Sequence, residues 1–189
     1  EDTSPVYLPD GRIVFSSTRQ RTNQAILIDE GKAQYSALEE SLNVEASVLH
    51  VMDANGSDIT QISFNQSHDI DPLVMPNGKI LFTRWDQAAG DKGMHLYQMN
   101  PDGSELEIVY GRHSHELNGD NVHFVQSRIT PDGDVLAAVR EYTRDTLGGN
   151  YYRIDVQQYI DSNTPIASSD SLSEPGQTAA LFDNIDTHA

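Results

Sequence analysis

Val6-Tyr7-Leu8-Pro9-Asp10-Gly11-Arg12-Ile13-Val14-Phe15 sets a Pro-Asp-Gly turn between two short apolar runs. Pro presets φ for the turn, Asp tolerates the conformation that follows, and Gly takes the positive φ that closes it, so the stretch reads as a β-hairpin. The pattern returns in Leu73-Val74-Met75-Pro76-Asn77-Gly78-Lys79-Ile80-Leu81-Phe82 and in Arg128-Ile129-Thr130-Pro131-Asp132-Gly133-Asp134-Val135-Leu136-Ala137. A second turn type follows other apolar runs, in Leu49-His50-Val51-Met52-Asp53-Ala54-Asn55-Gly56 and Leu96-Tyr97-Gln98-Met99-Asn100-Pro101-Asp102-Gly103. The first two units therefore each hold two hairpins.

Gly56 and Gly103 lie 47 positions apart, close to the roughly 40–45 residues of a four-stranded propeller blade. The two hairpin glycines are 45 positions apart in the first unit and 25 in the second. The first unit thus carries an insertion, within Gln20 to Ser47. Part of it, Lys32 to Leu42, spaces Ala33, Ala37, Leu38 and Leu42 as one face of a short helix would, although a solvated loop accounts for it nearly as well.

The predicted strands are Pro5–Leu8, Arg12–Ser17, Val48–Met52 and Ile59–Ile62 in the first unit, and Pro72–Met75, Lys79–Thr83, His95–Met99 and Leu106–Tyr110 in the second. A third unit has Gln126–Thr130, Val135–Val139 and Tyr151–Val156. The expected fold is all-β, a propeller segment of about three four-stranded antiparallel blades at 1–64, 65–112 and 123–160. Its expected core includes Ile13, Phe15, Val51, Leu81, Phe82 and Leu136. The Ser, Asp and Pro-rich run from Asp161 to Gly176 makes 161–189 a linker-like tail with at most one further strand.

Charge and composition narrow the function classes. The 189 residues hold 12 Lys+Arg and 29 Asp+Glu, a net charge of −17 that repels a phosphate backbone, so nucleic acid is not an expected partner. No run approaches the roughly 20 apolar residues of a membrane-spanning helix. No basic-then-apolar leader precedes Glu1, so any export signal is expected to have been removed already. The absence of cysteine excludes disulfides, thiolate metal sites and cysteine nucleophiles.

The order strand, Pro-Asp-Gly, strand, loop, strand, Asp-x-x-Gly, strand resembles the WD40-like PD40 repeat of TolB-type β-propellers. Met52-Asp53-Ala54-Asn55-Gly56-Ser57-Asp58 and Met99-Asn100-Pro101-Asp102-Gly103-Ser104-Glu105 carry it most closely. The chain is also similar to the propeller domain of hydrazine synthase alpha-subunit-like proteins, through Pro9 to Ser17, Pro76 to Trp85, and Met99 to Gly103 followed by Tyr110-Gly111. The resemblance implies an exported, periplasmic bacterial protein whose propeller is a docking surface. With about three units, against the typical 4–8 blades of a closed ring, it implies completion by a longer chain or by self-association. The Cys-x-x-Cys-His of haem-bearing relatives is missing, which puts redox chemistry in doubt.

Two loop motifs carry the chemical interest, Ser67-His68-Asp69-Ile70-Asp71 and Ser114-His115-Glu116-Leu117-Asn118. His68 and His115 each follow a turn glycine by 12 positions, which makes them equivalents one blade apart. With His113 and His123, and with Asp69, Asp71 and Glu116, they form a candidate ligand set for a divalent ion such as Zn, Mn or Ca at one mouth of the channel. The spacing His113-Ser114-His115 matches the His-x-His pair of propellers resembling sugar-acid lyases. Against this stands a bland reading, in which the motif recurs because the fold recurs and its acidic side chains cap turns. Arg84 and Trp85 are candidates for binding a partner, or else cover the end of a blade core.

A Ser-His-Asp hydrolase is unsupported: the three residues are consecutive, and no Gly-x-Ser-x-Gly is present. The reading is therefore a non-catalytic scaffold whose partner is another protein or the remainder of a longer propeller, with a metal-dependent enzyme as the alternative.

Overall fold

The computed structural model describes residues 1–19, 29, 31, 39, 43–85, 93–112, 122–141, 150–157, 159–162, 176–179 and 182–185. Its strands among these are β1 (Asp2–Tyr7), β2 (Ile13–Ser17), β3 (Val48–Met52), β4 (Thr60–Gln61), β5 (Asp69–Val74), β6 (Ile80–Trp85), β7 (Met94–Met99), β8 (Glu107–Tyr110), β9 (Val122–Ile129), β10 (Val135–Glu141), β11 (Asn150–Ile154), β12 (Tyr159–Ser162), β13 (Gly176–Ala179) and β14 (Phe182–Ile185). The helical spacing over Lys32 to Leu42 lies outside the described residues apart from Glu39.

The chain falls into two compact units, Glu1–Arg84 with Met99–Leu106, and Trp85–Gln98 with Glu107–Ala189. In the first unit β1-β2-β3-β4 form a four-stranded antiparallel meander. The hairpin β5-β6 is antiparallel, and β5 lies against β1, β2 and β3. In the second unit the strands order β14-β11-β10-β9-β7, with β8 on β7. All its pairings are antiparallel except β7 with β9, which touch in parallel at Met94↔His123. The tail supplies the outer strand β14 of the third meander, while β12 and β13 form a separate hairpin inserted before it.

Burial along the strands follows from this layering. The middle strands are covered on both faces: Val14 to Ser17 of β2, Val48 to Val51 of β3 and Ile80 to Thr83 of β6 are consecutively buried, without the alternation of a one-sided sheet. The edge strand β1 is largely exposed or half-buried. Of the expected core, Phe15, Val51, Leu81 and Phe82 are buried, whereas Ile13 and Leu136 are half-buried and their neighbours Val14, Val135 and Ala137 take the interior positions. The fold is all-β and propeller-like.

The first strand of each sequence repeat starts earlier than its apolar run predicts, and one device explains all three cases. Ser4, Asp71 and Gln126 have φ of 52°, 52° and 51°, and the pairing register shifts around each. Each is a β-bulge, which breaks the two-residue alternation and hides the strand's first half from a periodicity argument. Pro5 and Pro72 follow two of the bulges, where a missing N–H costs no ladder hydrogen bond.

Candidate functional site

The bulges place the acidic and histidine residues of the loop motifs. Asp71 is the bulge of β5, and its Oδ1 accepts a hydrogen bond of 3.1 Å from Ser4 Oγ, the bulge of β1. Two neighbouring first strands are thus tied at equivalent positions. Three residues before the bulge stand His68 in one unit and His123 in another, both ten positions ahead of their turn glycine. Counted from the following turn, the equivalent of His68 is His123. His115 matches it only when counted from the preceding turn, because the connection between Gly103 and Gly133 is longer than that between Gly56 and Gly78.

His68 is half-buried and acts as an acceptor: the Ser47 N–H donates to its Nδ1 at 3.2 Å, while Ser47 C=O accepts from the Asp69 N–H at 2.7 Å. The neutral ring accordingly carries its proton on Nε2. Burial pushes its pKa below the ordinary value, and the carboxylates of Glu39 and Asp69 push it weakly back up. A metal at Nδ1 would have to displace the Ser47 amide.

Asp69 is equally committed. Its side chain is 0% exposed, and its two oxygens accept from Arg84 Nε at 2.8 Å and Nη2 at 2.9 Å. Asn65 Nδ2 adds a contact of 3.3 Å to Oδ1. The Arg84 guanidinium also lies over the Phe82 ring, 5.5 Å from its centroid. This fork-to-fork pair, stacked on an aromatic face, is the geometry for which Arg differs most from Lys. The arginine put forward as a partner contact is therefore engaged inside the fold, and Trp85 beside it is half-buried.

The same device serves the β1-β2 hairpin. Asp2 stands where Asp69 stands relative to the turn, Arg19 pairs with Asp2, and Arg19 lies 5.5 Å from the centroid of Phe15. In the third sequence repeat Phe124 occupies the Asp position and Ala137 the Phe position. There the large apolar group has changed strands, and both residues are buried.

His123 is buried and stands opposite Arg140 on β10. His113, His115 and Glu116 lie outside the described residues. Among the described residues no three of His, Asp and Glu come together as a metal-binding group. The sequence reading missed two further interior histidines. His50 donates from Nδ1 to Val48 C=O at 3.0 Å and stacks on Phe15 at 5.7 Å. His95 faces Gly111, where a Cβ would come within 3.1 Å of its Nδ1 and 2.7 Å of Phe124. The signal available for both was their place inside apolar strand runs, Leu49-His50-Val51 and Met94-His95-Leu96.

Built from repeated meanders with doubly covered middle strands, the chain has a propeller-like architecture. No known protein family's profile matches it, and no curated protein does. Among solved structures it is similar to a chain of Kuenenia stuttgartiensis hydrazine synthase, with 22% identity and a TM-score of 0.54 over 76% of this chain. The match spans 20% of that longer chain. At this identity the likeness is one of fold.

Proposed function

We propose that the chain is a non-catalytic TolB-like propeller module, with repeats of the PD40 kind, belonging to an exported bacterial protein and serving as a protein–protein scaffold. The observation that carries this reading is the engagement of the candidate polar groups: Asp69 with Arg84, His68 with Ser47 and Asp71 with Ser4. Groups held in this way position strands. Large apolar side chains meanwhile stand at the surface of the first unit, including Tyr7 at 69% and Phe64 at 57% exposed. They provide contact area of the type that protein partners use.

Three measurements test the proposal together. Metal analysis of untagged protein should find no stoichiometric divalent ion. Cross-linking in the source cells should join this chain to one exported protein, and the purified pair should form a complex weakened by Tyr7→Ser or Phe64→Ser. Near-stoichiometric zinc or manganese, lost on replacing His68 and His115 by Ala, would overturn the reading in favour of a metal site.

A further inference from the structure

Two asparagine–glycine pairs close exposed turns of the first unit, Asn55-Gly56 and Asn77-Gly78. Asn-Gly is the dipeptide most prone to spontaneous ammonia loss, because no side chain on glycine shields its amide nitrogen. The turns are locally alike. Gly56 N–H donates to Asp53 C=O at 2.8 Å and Gly78 N–H to Met75 C=O at 2.9 Å. Asn55 Oδ1 accepts from Ser57 N–H at 2.9 Å, and Asn77 Oδ1 from Lys79 N–H at 3.0 Å. In this closed form the attacking nitrogen and the amide under attack are both held away from each other, so reaction waits on opening of the turn.

The supports of the two turns differ. The turn at Asn77 is bracketed by two six-residue strands paired up to its edge, at Leu73↔Leu81 and Val74↔Ile80. Pro76 also fixes its φ. The turn at Asn55 has Ala54 in that place. Asp53 N–H donates to Ser57 C=O at 2.9 Å, as Met75 N–H does to Lys79 C=O. Asp58, at φ 53°, then interrupts the ladder before β4, which is two residues long, pairs at Val51↔Thr60 and His50↔Gln61 and is continued by Ile62 N–H to Leu49 C=O at 2.9 Å. A turn separated from its strand ladder by such an interruption opens at lower free energy than one continuous with it.

We propose that Asn55 is a modification site at which the chain deamidates spontaneously, at a rate set by opening of its turn, while Asn77 is protected. The Gly56 nitrogen gives up its proton to solvent and bonds to Asn55 Cγ, and ammonia leaves with the C–N bond of the side-chain amide. The resulting succinimide takes up one water at either carbonyl and opens to aspartate or isoaspartate. Aspartate adds a negative charge close to Asp53 and Asp58. Isoaspartate lengthens the backbone by one methylene, which displaces Ser57 from its contacts with Asn55 and Asp53 Oδ2 and loosens the entry to β4.

The test is to incubate the whole folded chain at neutral pH in heavy-oxygen water and to follow both sites by peptide mapping with electron-transfer fragmentation, which separates isoaspartate from aspartate. Asn55 should convert about tenfold faster than Asn77, the ratio given by about 1.4 kcal/mol of difference in opening free energy. In urea the two rates should converge. Ala54→Pro, which copies Pro76 into the turn, should slow Asn55 in the folded chain and leave its unfolded rate close to that of the parent. Equal rates in the folded chain would overturn the proposal, and so would a ratio that survives unfolding, since flanking sequence and not the fold would then set it.

Discussion

At the scale of single residues, the ion pair of Asp69 with Arg84 is a structural fastener. Asp69, 0% exposed, and Arg84, 12% exposed, are removed from water together. Their attraction offsets desolvation only while both are present. Replacing Asp69 by Asn or Arg84 by Met should each cost about 3–5 kcal/mol, because either change strands a buried charge. The double replacement Asp69→Asn with Arg84→Met should cost less than the sum of the two single changes. Urea denaturation of the four proteins closes the cycle, and additive losses would show that the two side chains are not coupled. His50 gives the pH dependence its sign. Burial lowers its pKa from 6.5, as does Arg19, while the bond to Val48 C=O and the charge of Asp2 partly oppose them. The folded state thus binds its proton less readily than the unfolded chain. Its contribution to stability is complete above pH 6.5 and is lost as pH falls through the lowered folded value. His50→Asn, which keeps a donor for Val48 C=O without titrating, should flatten that part of the stability–pH curve.

At the scale of elements, the hairpins are legible and the bulges are not, for one physical reason. A Pro-Asp-Gly or Asn-x-x-Gly turn depends on residues adjacent in sequence, so its chemistry is visible locally. A bulge at Ser4, Asp71 or Gln126 depends on how a strand must bend against its neighbour, and three unrelated side chains occupy the same backbone state. The Asp–Arg–Phe fastener shares this difficulty, since Asp2 and Asp69 are equally spaced from their turns but Arg19 and Arg84 are not, so the pairing shows only in the folded chain. The turns also separate two roles of glycine. Gly56 and Gly103 both have φ of +86°, yet a Cβ on Gly56 meets nothing within 4 Å, while one on Gly103 would sit 2.4 Å from Ile62 O. Gly56→Ala should therefore cost only the strain of a left-handed alanine, about 1–2 kcal/mol. Gly103→Ala should cost clearly more, because a backbone carbonyl must also move. Equal losses in urea denaturation would mean that the turn at Gly103 shifts away from Ile62 freely.

At the scale of the whole molecule, the repeat fixes the all-β architecture but leaves unassigned how each meander finds its fourth strand. The third repeat shows why. Its outer strand β14 comes from beyond a hairpin and a polar stretch, and Phe182-Asp183-Asn184-Ile185 is too short to announce a strand by periodicity. Its assignment rests on tertiary pairing with β11, at Tyr151↔Ile185, Tyr152↔Asn184, Arg153↔Asp183 and Ile154↔Phe182. The candidate site was legible to a similar extent: His68, Asp69 and Asp71 stand together at the start of β5, but their hydrogen-bond partners come from Ser47, Arg84 and Ser4, which no sequence motif joins to them. A truncation ending at Ser162 tests the role of β14 directly. It should leave β11 as an open edge, with N–H and C=O groups turned to solvent and ready to pair with another copy. Amide exchange over residues 150–154 should rise sharply while β2 and β3 of the first unit keep their protection, and light scattering should show concentration-dependent association. Unchanged protection in β11 would mean that β10 holds it unaided and that β14 is an accessory to the meander.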